Sequence, residues 1–103
     1  MSERFVRVTG ADDLPPGRMR RLDLEGHRLL LANVDGTFYA VDDTCTHEDA
    51  SLSTGALKGE CVSCPLHGSR FNVRTGEPLE EPAEVPLRTY PVKIQDGNVY
   101  VAL

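Results

Sequence analysis

Gly or Pro interrupts this chain about every ten residues, and no stretch between the breaks keeps a helical period. Short runs between turn residues can only build sheets, so the chain is expected to be all-β. Residues 4–8, Met19–Leu24 and His27–Val34 read as strands, the last with the apolar run Leu29-Leu30-Leu31-Ala32. Asp35-Gly36 then separates His27–Val34 from an apolar run over 37–41, and Asp96-Gly97 separates residues 91–95 from Asn98–Ala102. Asp-Gly between apolar runs marks a type I′ hairpin, whose two central residues need positive φ. Pro15-Pro16-Gly17 and Glu25-Gly26 mark further turns. The expected scaffold is a small antiparallel β-sandwich or barrel, with an insert over about residues 42–86 between its hairpins.

At 103 residues the chain suits one domain, 1–103, with a modest core that a bound metal centre would reinforce. It has no apolar run long enough to span a membrane, so no membrane association is expected. Met1-Ser2-Glu3-Arg4-Phe5 lacks the features of a secretory signal, and Arg20-Arg21 runs into Leu22-Asp23-Leu24-Glu25, unlike a twin-arginine signal. The expected location is cytoplasmic. There, three cysteines point to metal binding, redox chemistry or plain burial rather than a disulfide frame.

The net charge is −5: residues 1–30 carry +1 and residues 31–103 carry −6. Such a balance repels phosphate, so no nucleic acid partner is expected. It suits docking on a basic protein surface, or serves only solubility.

The insert contains Cys45-Thr46-His47, then sixteen residues, then Cys64-Pro65-Leu66-His67. Three readings compete for these two Cys–His pairs. They are two buried cysteines beside incidental histidines; or a structural zinc site, although zinc knuckles usually pair Cys with Cys and His with His; or a 2Fe–2S cluster in which His replaces Cys on one iron. In the third, each loop hands one thiolate to the inner iron and one imidazole to the outer.

The residues Cys45-Thr46-His47 and Cys64-Pro65-Leu66-His67-Gly68-Ser69 resemble the double motif of the Rieske ferredoxins. The resemblance continues through residues 71–78 and Pro82-Ala83, and covers most of the chain from about Phe38 onward. It is strongest toward ferredoxin components of bacterial ring-hydroxylating dioxygenase systems. It implies a Rieske fold and one 2Fe–2S cluster, with Cys45 and Cys64 on the inner iron and His47 and His67 on the outer. Pro82-Ala83 would lie in a proline loop over the cluster, and Ser69 would donate to a sulfur. The implied role is a non-enzymatic electron carrier between a flavin-containing ferredoxin reductase and a terminal ring-hydroxylating oxygenase. The chain has no room for the oxygenase's own catalytic domain. A small Rieske subunit of an assimilatory nitrite reductase and a zinc interaction module are the competing functions.

Respiratory members of this fold add a disulfide between the loops; the matching positions here hold Asp49 or Ala50 and Leu66. They also carry a Tyr where this chain has Phe71. Both departures imply a potential in the lower half of the roughly −150 to +300 mV Rieske span. Cys61 is expected to be a small buried hydrophobe rather than a spare ligand. His27 is left outside the site. Arg70 and Arg74 are salt-bridge or docking candidates. Glu48 and Asp49 are docking candidates, and Glu77, Glu80, Glu81 and Glu84 form an acidic rim or a solvated face.

Overall fold

The computed structural model describes residues 4–46, 50–66, 68–79 and 84–103. Among the described residues ten strands follow one another: β1 (Phe5–Gly10), β2 (Met19–Leu24), β3 (His27–Val34), β4 (Thr37–Asp42), β5 (Ala56–Lys58), β6 (Cys61–Ser63), β7 (Arg70–Asn72), β8 (Thr89–Tyr90), β9 (Val92–Gln95) and β10 (Asn98–Ala102). They form three antiparallel sheets, in the orders β1-β10-β9, β2-β3-β4-β8 and β5-β6-β7. No helix among the described residues is long and apolar enough to cross a membrane.

Both expected hairpins form. Asp35 and Gly36 sit at φ 52° and 94°, and Asp96 and Gly97 at 52° and 76°, the left-handed region that the turn type requires. Glu25-Gly26 makes a third turn of this kind and sets Leu24 opposite His27.

The run in β3 explains why the architecture has three layers. Leu29 and Leu31 point into a core with Leu14, Leu22, Ala40, Tyr90, Val99 and Val101, beneath the β1-β10-β9 sheet. Leu30 and Ala32 point the other way, into a core with Val41, Cys45, Leu52, Val62, Cys64, Phe71, Val73 and Leu87. Successive side chains of a strand leave on opposite faces, so an unbroken apolar run must be covered twice. The insert is that second cover: its own sheet, β5-β6-β7, packs on the face that the outer hairpins leave open. Each fully buried leucine contributes about 1.5–3 kcal/mol, which makes β3 the spine that both layers share.

The strand expected over 91–95 begins differently. Thr89 and Tyr90 pair with β4, while Val92 onward pairs with β10. Pro91 stands at the switch between sheets, where its missing N–H costs no ladder bond.

Candidate metal centre

Each of Cys45 and Cys64 opens a loop closed in the same way. The Cys45 amide donates to the Ala50 carbonyl at 2.9 Å, and the Cys64 amide donates to the Ser69 carbonyl at 2.7 Å. The first loop is a continuation of β4: Leu52 N–H donates to Asp43 O at 2.7 Å, and Thr44 bridges Ser51. The second joins β6 to β7, with Ser63 opposite Arg70, and is tightened by Gly68 N–H to Cys64 O at 3.2 Å. Two loops of equal span thus start from two cysteines that are each 3% exposed and share one core. A third segment leans on them. Thr46 Oγ1 donates to Val85 O at 2.7 Å, and Leu87 N–H donates to Gly76 O at 2.7 Å.

Ser69 carries the sharpest sign of a missing partner. It is 0% exposed, and its hydroxyl finds no hydrogen-bond partner among the described residues. Leaving a buried hydroxyl unsatisfied costs about 1–3 kcal/mol, so a native site supplies an acceptor. A sulfur ligand beside Cys64 is such an acceptor, and two buried cysteines supply the soft donors that iron–sulfur clusters use. The donor set therefore fits a cluster of this kind.

His47 and His67, the two expected imidazole ligands, lie outside the described residues, as do Pro82, Ala83, Glu48, Asp49, Glu80 and Glu81. Phe71 is fully buried in the core that holds the two cysteines and bridges Pro78. Cys61 departs from the expected buried hydrophobe. It is only half-buried, because it flanks Val62 on β6 and strand alternation turns it to the opposite face from Val62. Arg74 pairs with Glu60 at 3.9 Å on the exposed surface, and Glu77 and Glu84 are exposed. His27 packs its ring edge toward Tyr90, with centroids 6.3 Å apart, as a packing residue.

The loop roots carry two acids that motif spacing does not single out. Asp42 accepts the Tyr90 hydroxyl at 2.6 Å. Burial, then the hydrogen bond and charge of Asp42, push the Tyr90 phenol up to about 12 against the opposing Arg88 guanidinium. Asp43 is fully buried; it accepts Ser53 N–H at 2.8 Å and the Ser51 hydroxyl. The only sequence signal for either was a polar pair directly before the first cysteine loop.

Residues 4–91 match the Rieske [2Fe-2S] domain model. The chain belongs to that family, and its cofactor is accordingly a Rieske-type 2Fe–2S cluster. Among its relatives is Ferredoxin CarAc of Metapseudomonas resinovorans, 45% identical over 99% of this chain and 96% of the relative. The ferredoxin in a complex of reduced oxygenase and oxidized ferredoxin of carbazole 1,9a-dioxygenase superposes with a TM-score of 0.93 at 44% identity, over 98% of this chain and 94% of that one. A protein provisionally assigned as a nitrite reductase NADPH small subunit also superposes, with a TM-score of 0.80 at 32% identity, over 95% and 97%.

Proposed function

We propose that Cys45, His47, Cys64 and His67 hold the cluster, and that the chain carries single electrons from a flavin-containing ferredoxin reductase to a terminal ring-hydroxylating oxygenase. On this reading residues 1–103 act as one cytoplasmic domain with no catalysis of its own. The observation that carries it is the pair of buried cysteines on two loops closed alike, beside the unsatisfied hydroxyl of Ser69. The similarity to the ferredoxin–oxygenase complex of carbazole 1,9a-dioxygenase supports the oxygenase as a partner.

When bound, the cluster supplies a one-electron couple. The chain supplies its confinement. Backbone bonds at Cys45 and Cys64 fix both thiolates, and Phe71, Leu52 and Val62 keep water from them. Fixed ligands change little between oxidation states, which keeps the barrier to electron transfer low. The same segments display Leu66, Leu79 and Val85, three apolar side chains 61%, 49% and 59% exposed. Apolar surface around an electron exit lets a partner dock and exclude water. The acids Glu77 and Glu84 stand in the same stretch and suit a basic partner face.

The test is direct. Purified protein should contain iron and acid-labile sulfide in equal amounts, and give the paramagnetic resonance of a Rieske centre on reduction. Cys64→Ser should abolish both. The unaltered protein should also reduce a ring-hydroxylating oxygenase faster than it supports a nitrite reductase. Protein free of iron and sulfide after anaerobic reconstitution would remove the carrier reading.

A further inference from the structure

Asp43 is a fully buried acid that electron carriage, as described so far, does not use. It follows β4 directly and precedes Cys45 by two positions. Its main chain is held on both sides: Asp43 N–H donates to Arg28 O at 3.1 Å, and Asp43 O accepts Leu52 N–H at 2.7 Å. Its carboxylate reaches across the returning strand of the first cysteine loop. Oδ1 accepts Ser53 N–H at 2.8 Å, and Oδ2 accepts the Ser51 hydroxyl, which lies 2.8 Å from Ser53 Oγ.

Clasping a loop needs an acceptor but not a charge; an Asn or Ser would serve. Burying a carboxylate is costly unless something in the site benefits from it or cancels it. The groups that hydrogen-bond Asp43 among the described residues are neutral, one hydroxyl and one amide, and none of the described residues forms an ion pair with it, so within that set its charge is spread but not cancelled. Leu52, next to Ser51 and Ser53, packs in the same core as Cys45 and Cys64. A fixed negative charge in such an interior acts on its neighbours with little solvent screening.

We propose that Asp43 is a positioning residue with a second role: its carboxylate pins the first cluster loop through Ser51 and Ser53, and its uncancelled charge holds the reduction potential of the centre down. Adding an electron places a further negative charge beside an existing one, so the carboxylate favours the oxidised form. The inference rests on Cys45 being a cluster ligand.

The decisive variant is Asp43→Asn in the full, cluster-loaded chain. It keeps the shape: Oδ1 still accepts Ser53 N–H, while Nδ2 donates to Ser51 Oγ. Redox titration followed by paramagnetic resonance should show an unchanged spectrum and a raised midpoint. The reduction equilibrium should shift by about tenfold, equivalent to about 59 mV for one electron. Ser51→Ala withdraws a donor from the carboxylate, exposes more of its charge, and should shift the midpoint the other way. A residue that only shaped the loop would give both variants the same sign, or leave both potentials alone. An unchanged or lowered midpoint in loaded Asp43→Asn overturns the inference. Should Asp43→Asn fail to load, a lowered midpoint in Ser51→Ala supports it, and an unchanged or raised one overturns it. Failure of the underlying cluster reading shows itself separately, as absence of the reduced signal from the unaltered chain.

Discussion

Replacing Ser69 with Ala isolates one hydroxyl whose worth depends on the charge of its acceptor. The hydroxyl is wholly buried and unsatisfied by the described protein groups. A neutral hydrogen bond contributes about 0.5–1.5 kcal/mol net, and one to a charged acceptor roughly twice that. The reduced centre is the more negative, so Ser69 favours it over the oxidised one by the difference, about 0.5–1.5 kcal/mol. A tenfold change is about 1.36 kcal/mol and, for one electron, about 59 mV. Ser69→Ala should therefore lower the midpoint by about 20–65 mV. Burial prevents water from standing in for the lost donor, so the shift should appear in full. The assay is a redox titration of matched, fully loaded samples, with Ser69→Thr expected to recover most of the loss. A midpoint in Ser69→Ala that stays put or rises would show that the hydroxyl points at something other than a sulfur, and the argument from its unsatisfied state would collapse.

Three further outcomes follow from the loop roots. Tyr90 holds its proton up to about 12 against an ordinary 10.0, so the unfolded chain releases that proton first; stability should be level below pH 10 and fall between about 10 and 12. Denaturation midpoints across that window should flatten in Tyr90→Phe, and an equally steep fall in the variant would refute the assignment. Gly55→Ala would put a β-carbon 1.9 Å from the Ser63 carbonyl oxygen, a contact with backbone that no rotamer relieves. The variant should lose more than about 1 kcal/mol and retain less iron per chain; full iron occupancy would contradict it. Thr46→Val removes the bond to Val85 O and should cost at most about 1 kcal/mol. Faster exchange of the Leu87 amide, which is bonded to Gly76 O, is the expected sign, and unaltered protection there would count against the clasp.

How far the sequence exposes the fold depends on where the information is local. The bounds of β2, β3 and β10 can be read directly, because two-residue turns with Gly in second place fix strand ends and register. The break at Pro91 is harder to see. The run from Pro91 reads as a strand by itself, while Thr89-Tyr90 before it is too short and too polar to declare itself until tertiary pairing assigns it to the other sheet. Within the insert, Glu60-Cys61-Val62-Ser63 looks like a strand leading into the second loop, and β6 forms there; β5 and β7 have three residues each, too few for alternation to declare the sheet they build with it. The cysteines are legible because cysteine near histidine at short spacing has few other uses. Asp43 and Ser51 are not, because a buried carboxylate clasping a loop uses residue types that also fill ordinary turns.

The cluster seat is stiff because its two halves are tied at three levels. β3 is common to both cores, so the insert sheet cannot shift without disturbing the buried Leu30 and Ala32. Above that, the return of the first loop, anchored by Asp43, runs through Gly55 into the carbonyl of Ser63, the residue that immediately precedes Cys64. The first loop therefore rests on the root of the second by backbone contact, which only a residue without a β-carbon permits. Finally, Thr46 draws the segment around Val85 against the first loop, and Gly76 ties Leu87 to the turn that follows β7. A ligand set held by main-chain bonds has little freedom to rearrange when its charge changes. That is what a carrier needs, and it is also why a single uncancelled carboxylate can act as a potential control. In a seat that cannot relax, the charge is not answered by movement, and its effect remains in the equilibrium between the two oxidation states.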